Sequence, residues 1–155
     1  MMNRAVLDTA VAAWIADQAF ATSTYGDINT WDVSAITDFS NLFEDKTTFN
    51  SDISNWDVSN GRRFRRMFLG AEVFNQDIGS WDVSSAHDFY GMFHNADVFN
   101  QDISDWDVSS GTNFGYMFMD ANAFNQDIRK WDVSSGTSFA FMFSGVDKMQ
   151  NNYGF

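Results

Sequence analysis

Five aspartates at a constant spacing of 25 residues are the side chains of this sequence best suited to chemistry at a surface. Each lies in a Trp-Asp-Val-Ser tetrapeptide, where Trp and Val alternate as on one face of a short strand, so the carboxylate is expected to point outward. If equivalent residues stack, these carboxylates lie about 5 Å apart. The five, called the aspartate ladder below, are Asp32, Asp57, Asp82, Asp107 and Asp132.

Neighbouring carboxylates in such a row repel each other by about 1 to 3 kcal/mol per pair at an effective dielectric constant between 80 and 20. Hydrogen bonds from serines two residues later are the first explanation we expect for how the row is tolerated. A bound cation such as Ca²⁺, which prefers oxygen ligands, and a basic partner docked on the ladder remain alternatives. The serines are Ser34, Ser59, Ser84, Ser109 and Ser134.

Four of the nine basic residues are concentrated in one short segment. They could form a docking patch for an acidic surface, including the aspartate ladder of a second copy. The alternative is a solvated face that tempers a very acidic chain. These residues are Arg62, Arg63, Arg65 and Arg66.

Groupings typical of catalysis or of metal binding are missing from the sequence. His87 and His94, near Asp88 and Asp97, have the residue types of a zinc site, but no other repeat carries matching ligands. The chain has no cysteine, no Gly-x-Ser-x-Gly elbow and no Gly-rich phosphate loop. We therefore expect no enzyme activity, no metal site and no cofactor, with Ca²⁺ on the ladder as the one reservation.

The elements that must position these side chains are repeats. The whole unit around each tetrapeptide recurs five times over residues 24–148, starting at 24, 49, 74, 99 and 124. Such a fixed period is typical of a solenoid. Within the unit at Phe99, Trp106 and Val108 predict a short strand, and Phe114, Met117 and Phe118, at i, i+3 and i+4, predict a short α or 3₁₀ turn.

The two ends of the chain differ from the repeats. An apolar stripe at Leu7, Val11 and Trp14 predicts an N-terminal helix over 3–22 that covers the first coil, with Asn3 as its N-cap. Residues 149–155 match the start of a sixth, incomplete repeat, and the sequence as a whole, 1–155, is expected to form one domain. An uncovered last coil is prone to pairing, so either the native chain continues there or copies self-associate through Met149, Tyr153 and Phe155.

Charge and hydropathy restrict the partners. The net charge is −12, from 21 acidic and 9 basic residues, so nucleic acids and acidic membranes are repelled overall. No segment approaches the length of a membrane span, and Asp8 and Asp17 interrupt the first twenty residues, which therefore lack the apolar run of a secretory signal. Either the protein is not exported by such a signal or the sequence is part of something longer, and its location stays open.

Residues 24–155 resemble the BspA-type leucine-rich repeat proteins, in the 25-residue branch once catalogued as a domain of unknown function and common in bacterial surface proteins. The motif FNQDI-x-x-WDVSS-x-T-x-x-x-x-MF-x-x-A carries the resemblance and is nearly intact in the units at Phe74, Phe99 and Phe124. The resemblance implies an α/β fold: a right-handed leucine-rich-repeat-like solenoid with a parallel sheet on one face and short helical turns on the other. It also implies adhesion or protein interaction at a cell surface rather than catalysis.

The expected function is therefore a non-catalytic protein-interaction or adhesion module that binds a protein or glycan through the acidic strand face. The alternative is a self-assembling structural protein that stacks through its uncapped C-terminal end, with Ca²⁺ on the aspartate ladder as a variant of that interpretation. Ice binding fits less well, because the exposed positions are Asp and Ser rather than matched rows of Thr.

Overall fold

The structure, a computed structural model, describes residues 1–146 and Lys148, and within residues 1–146 the helices lie in the N-terminal part. Helix α1 spans Arg4–Ala16, helix α2 spans Gln18–Tyr25, and a 3₁₀ helix covers Ile28–Thr30. From residue 31 to residue 146 the chain contains neither a helix nor a sheet, only isolated parallel bridges between successive repeats. The bridged residues are Asp38, Arg63, Asp88, Asn113 and Ser138.

The predicted fold class, a right-handed leucine-rich-repeat-like α/β solenoid with a parallel sheet and short helical turns, is therefore wrong. The segment predicted as a strand fails to pair because its amides are used inside the coil. Asp107 Oδ1 accepts the N–H of Ser109 at 3.0 Å, and the N–H of Gly111 donates to Val108 O at 2.8 Å. Such side-chain and turn bonds compete with a strand ladder for the same amides.

The predicted helical turn is also replaced by a different arrangement. The N–H of Met117 donates to Phe114 O at 3.2 Å, as in a 3₁₀ turn. Tyr116 and Asp120, however, have φ angles of 59° and 54°, and left-handed residues cannot continue a right-handed helix. The amide of Tyr116 donates instead to Ala140 O of the next coil, at 2.8 Å.

Backbone hydrogen bonds between coils run along this same segment, which we call the hydrogen-bonded wall. Between the first two coils, the N–H groups of Phe39, Asn41, Phe43 and Asp45 donate to carbonyls of the second coil at 2.8 to 2.9 Å. The same pattern recurs at each later interface, so along the wall N–H groups face the following coil and carbonyls face the preceding one. The wall comprises residues 39–45, 64–70, 89–95, 114–120 and 139–145.

The core consists of aromatic side chains stacked coil over coil. Phe68 and Phe93, in successive coils, have ring centroids 5.7 Å apart and an interplanar angle of 5°. Phe93 also stacks on Phe99, with ring centroids 4.0 Å apart. The repeated tryptophans are all buried, whereas the aspartates that follow them are exposed. The prediction that indoles fill the interior and carboxylates line the outside is confirmed. These tryptophans are Trp31, Trp56, Trp81, Trp106 and Trp131.

The indole N–H groups of the last four repeated tryptophans, from Trp56 to Trp131, also link two coils. Trp106 Nε1 donates to Ile78 O at 3.0 Å, and Trp131 Nε1 donates to Ile103 O at 3.1 Å, in both cases in the preceding coil. Buried donors without a partner are costly, so these bonds fix the register of one coil on the next while satisfying the ring.

The N-terminal residues predicted as one helix over 3–22 form two helices that meet at Asp17. Asp17 is extended, with φ −156° and ψ 97°, and its carboxylate accepts the N–H of Phe20 at 3.0 Å, which caps α2. In α1, the Asn3 side chain accepts the N–H of Val6, and the buried Trp14 meets Trp31 edge-on at 5.8 Å. None of the helices among the described residues has the length and apolar character required to span a bilayer.

Arg4 of α1 supplies the donors that the first coil lacks. Its guanidinium donates to Asp38 O at 2.6 Å and to Ser40 O at 2.7 Å. The equivalent carbonyls one coil later, those of Arg63 and Arg65, accept amides of the preceding coil. Arg4 therefore takes the place of a preceding coil at the start of the hydrogen-bonded wall.

Candidate interaction surfaces

The aspartate ladder is exposed along its whole length, and its carboxylates are held by the following serines. Asp82 Oδ1 accepts both the backbone N–H of Ser84 at 3.0 Å and its hydroxyl at 2.6 Å. The same pair of bonds is present at Asp32, Asp57 and Asp107, and the N–H of Ser134 donates to Asp132 at 3.0 Å. The expected serine hydrogen bonds are confirmed.

These bonds favour the ionised form of the two central aspartates. The Ser84 hydrogen bonds hold the pKa of Asp82 below its ordinary value, against a smaller opposing effect of the Asp107 charge. The Ser109 bonds likewise lower the pKa of Asp107 against repulsion from Asp132. At Asp82 and Asp107 the hydrogen bonds therefore outweigh the repulsion between neighbouring carboxylates.

Metal ligation finds no support among the described residues. In residues 1–146 and Lys148, no group of three or more His, Asp or Glu side chains is arranged to hold a metal ion. The ring of His94 lies 6.2 Å from that of Tyr116. The Ca²⁺ interpretation of the ladder thus gains nothing from the geometry.

A second row of carboxylates in the same coils has a local role. Asp52, Asp77 and Asp102 each accept the backbone N–H two residues later, at 2.9 to 3.0 Å. In the last coil, Asp127 also accepts the Arg129 guanidinium at 2.7 Å, and these bonds lower its pKa to about 2. This row stabilises turns.

Asparagines and glutamines form a polar row that joins coils. Asn75 Oδ1 accepts the backbone N–H of Asn100 at 2.9 Å, and Gln101 Nε2 donates to Asn75 O at 2.9 Å. Each asparagine side chain therefore bonds a backbone amide of the next coil rather than one of its own turn. In the second coil Ser51 replaces the glutamine, and its hydroxyl accepts the indole N–H of Trp14 at 2.9 Å.

The four arginines lie on the hydrogen-bonded wall and the turn that leads into it, not on the aspartate ladder. Arg63 pairs with Asp38 at 3.6 Å, and Arg65 pairs with Asp88 at 3.9 Å. Arg62 is exposed, while Arg66 is half-buried. The four arginines therefore form one cluster, and aspartates of the two neighbouring coils balance part of its positive charge.

The predicted self-association residues Met149, Tyr153 and Phe155 lie outside the described residues. Just before them, the last coil exposes apolar side chains whose equivalents are buried in earlier coils: Val133 is 37% exposed and Phe139 is 42% exposed. They line a cavity of about 250 Å³ together with Ile128, Trp131 and Met142.

Similarity to known proteins gives a family and no activity. A family model described as "Mycoplasma protein of unknown function, DUF285" matches residues 16–114 and again residues 87–154. No curated protein and no solved structure matches the chain. Since the two matches together run from residue 16 to residue 154, the chain belongs to the DUF285 family.

Proposed function

We propose that this chain is a non-catalytic interaction or adhesion module whose aspartate ladder binds a partner with cationic groups, in the first place a protein. The observation that carries the proposal is a row of exposed carboxylates that are held in one orientation by their serines, whose bonds also lower the pKa of Asp82 and Asp107. The resemblance of residues 24–155 to BspA-type repeat proteins supports a place at a cell surface.

Preorganisation is what makes the row suited to binding. A carboxylate that is already fixed loses little side-chain entropy when a lysine or arginine docks on it. Regularly spaced charges of one sign also accelerate association with an oppositely charged surface and suppress association with like-charged ones. The Oδ2 atoms of Asp82 and Asp107 remain available, because the serine bonds of these two residues use Oδ1.

The test removes charge while keeping the turn. In the double variant Asp82→Asn and Asp107→Asn, the side-chain oxygens can still accept the serine bonds, so folding is expected to be retained. Binding to a poly-L-lysine peptide, measured by calorimetry at about 0.15 M salt, where the Debye length is about 8 Å, should weaken by at least about tenfold.

The matched control is Glu72→Gln with Asp97→Asn, which removes two exposed charges elsewhere. Its affinity should stay within about threefold of the wild type, because charges beyond a Debye length are screened. Equal losses in the two double variants would show that only the net charge matters and would refute a site on the ladder.

Self-assembly is the second candidate, favoured by the apolar side chains that the last coil exposes. If copies meet there, Val133→Lys or Tyr153→Asp should shift the protein to a monomer in light scattering. Addition of Ca²⁺ to the wild type tests the cation variant in the same instrument. A monomeric wild type with and without Ca²⁺ would reject this candidate.

A further inference from the structure

A column of aromatic and arginine side chains runs along the outside of the hydrogen-bonded wall. The rings of Tyr90 and Tyr116 have centroids 5.2 Å apart, and Tyr116 and Phe141 repeat that spacing. The Arg66 guanidinium continues the column, 5.6 Å from the Tyr90 centroid. Phe141 is 60% exposed, and the two tyrosines and Arg66 are half-buried. We call Arg66, Tyr90, Tyr116 and Phe141 the outer column.

Three of these residues occupy backbone positions that bulky side chains normally avoid. Arg66, Tyr116 and Phe141 have φ angles of 54°, 59° and 55°. Such left-handed conformations favour Gly, Asn and Asp, and a bulky residue there costs of order 1 kcal/mol or more.

The same coils contain an internal comparison. Four residues further along each coil is a second left-handed position, and there the side chains are the favoured ones throughout. They are Asp45, Gly70, Asn95, Asp120 and Gly145. At the first position two coils also carry favoured residues, Asn41 and Gly91, so the sequence overrides the preference only in the three coils whose residue lies in the outer column. Strain retained in favour of an exposed side chain points to binding.

Glycines in the wall lie beside the column. A Cβ at Gly91 would lie 3.4 Å from Arg66 Cγ, and a Cβ at Gly115 would lie 3.4 Å from Tyr90 Cδ2. Both distances are ordinary van der Waals contacts, so a large side chain of the preceding coil packs against each glycine. This contact between coils orders the column without burying it.

The charge at one end of the column is positive in a strongly negative chain. Arg65 lies over Tyr90 at 4.1 Å, beside Arg66 and close to Arg62 and Arg63 in sequence. The Nε of Arg66 is buried and finds no hydrogen-bond partner among the described residues. That atom is closed to a ligand, but Arg62 is exposed and Arg65 and Arg66 are partly exposed, so an acceptor group of a ligand at this end would meet their other guanidinium donors.

We propose that the outer column with its arginine end binds an acidic protein segment that carries aromatic or apolar side chains between its carboxylates. Tyrosine and arginine are the residues that dominate binding energy at protein interfaces, and arginine clusters recognise acidic motifs. This surface is independent of the aspartate ladder and takes partners of the opposite charge. The chain would then join a basic partner to an acidic one.

The test uses substitutions that relieve the backbone strain at the left-handed positions. Arg66→Asn and Tyr116→Asn place a favoured residue at each left-handed position, so the melting temperature should stay equal or rise. Binding to a random copolymer of glutamate and tyrosine should weaken by at least about tenfold in each variant. Loss of affinity without loss of stability separates a binding role from a structural one, and Tyr116→Asn decides if Arg66→Asn fails to fold.

Asp120→Asn at the second left-handed position is the matched control and should bind the copolymer like the wild type. The double variant Asp82→Asn and Asp107→Asn should also retain this affinity, so failure of the ladder and failure of the column are distinguishable. The proposal is overturned if the wild type does not bind the copolymer or if Arg66→Asn and Tyr116→Asn both bind it unchanged. Preference for polygalacturonate over the copolymer would overturn it too, in favour of an acidic glycan.

Discussion

At the scale of single residues, the aspartate and serine two positions apart determine how each coil presents its surface. The carboxylate of Asp107 accepts the N–H and the hydroxyl of Ser109, which closes a turn, removes an amide from strand pairing and favours the ionised acid. One pair of side chains thereby accounts for both the missing sheet and the persistent charge.

The pKa of these aspartates provides a residue-scale prediction. Ser109→Ala removes the hydroxyl bond, so the pKa of Asp107 should rise toward its ordinary value of 3.8 from below. Since the folded pKa is depressed, the stabilisation from this group is present above about pH 4 and is lost as the pH falls through the folded pKa. Carboxyl carbon titration by NMR measures the shift.

Asp127 serves as the reference in the same titration, because its pKa of about 2 depends on Arg129 and not on a serine. It should be unchanged in Ser109→Ala. A pKa of Asp107 at or above 3.8 in the wild type would show that the serine bonds do not outweigh the repulsion along the ladder.

At the scale of elements, α1 is matched to the first coil by polar bonds as well as by its apolar side. Arg4 donates to the carbonyls of Asp38 and Ser40 at the start of the wall. Trp14 donates to Ser51, and its ring packs on Trp31. An end of a coil stack has unpaired backbone groups, and these are satisfied only if the covering element brings the right donors. In its hydrogen bonding, α1 therefore takes the place of a preceding coil.

Arg4→Met provides the element-scale prediction. It keeps the aliphatic stem but leaves the carbonyls of Asp38 and Ser40 without these donors, which should lower the free energy of unfolding by about 1 to 3 kcal/mol. Urea denaturation measures the change. Arg62→Met, at an exposed arginine, should change it by less than about 0.5 kcal/mol. Equal effects of the two substitutions would rule out a specific role for Arg4.

At the scale of the whole molecule, stability is built from contacts between successive coils. The buried residues from Leu7 to Val146 form a single cluster in which the phenylalanines of the repeats stack on their equivalents in the neighbouring coil. Stability in such an array is a sum of coil and interface contributions, so an uncovered end weakens its own coil first. The two surfaces proposed to bind partners are products of the same stacking.

Removal of residues 1–26 is the whole-molecule prediction. It uncovers the aromatic rings and wall carbonyls of the first coil, so the truncated protein should associate or aggregate at concentrations where the full chain does not. Size-exclusion chromatography with light scattering compares the two. A monomeric truncated protein with an unchanged melting temperature would show that α1 and α2 are dispensable.

Much of the arrangement follows from the sequence alone. The period of 25 residues determines which side chains stack, and the alternation around Asp107 determines that Trp106 and Val108 are buried while the carboxylate is exposed. These inferences hold because burial depends on the spacing of apolar residues, whatever backbone conformation produces that spacing. The serine bonds could be predicted as well, because they join residues two positions apart.

The backbone conformation and the hydrogen bonds between coils were decided by the tertiary structure alone. A strand and a series of turns can bury the same alternate residues, so the pattern at Trp106 and Val108 could not reveal that the coils join through residues 114–120 instead. The positive φ angles of Arg66 and Tyr116, and the role of Arg4 as a donor to Asp38, likewise depend on groups in another coil or helix. Local sequence determines which side chains are buried, whereas the partner of each amide that joins two coils is set by the neighbouring coil that offers a carbonyl.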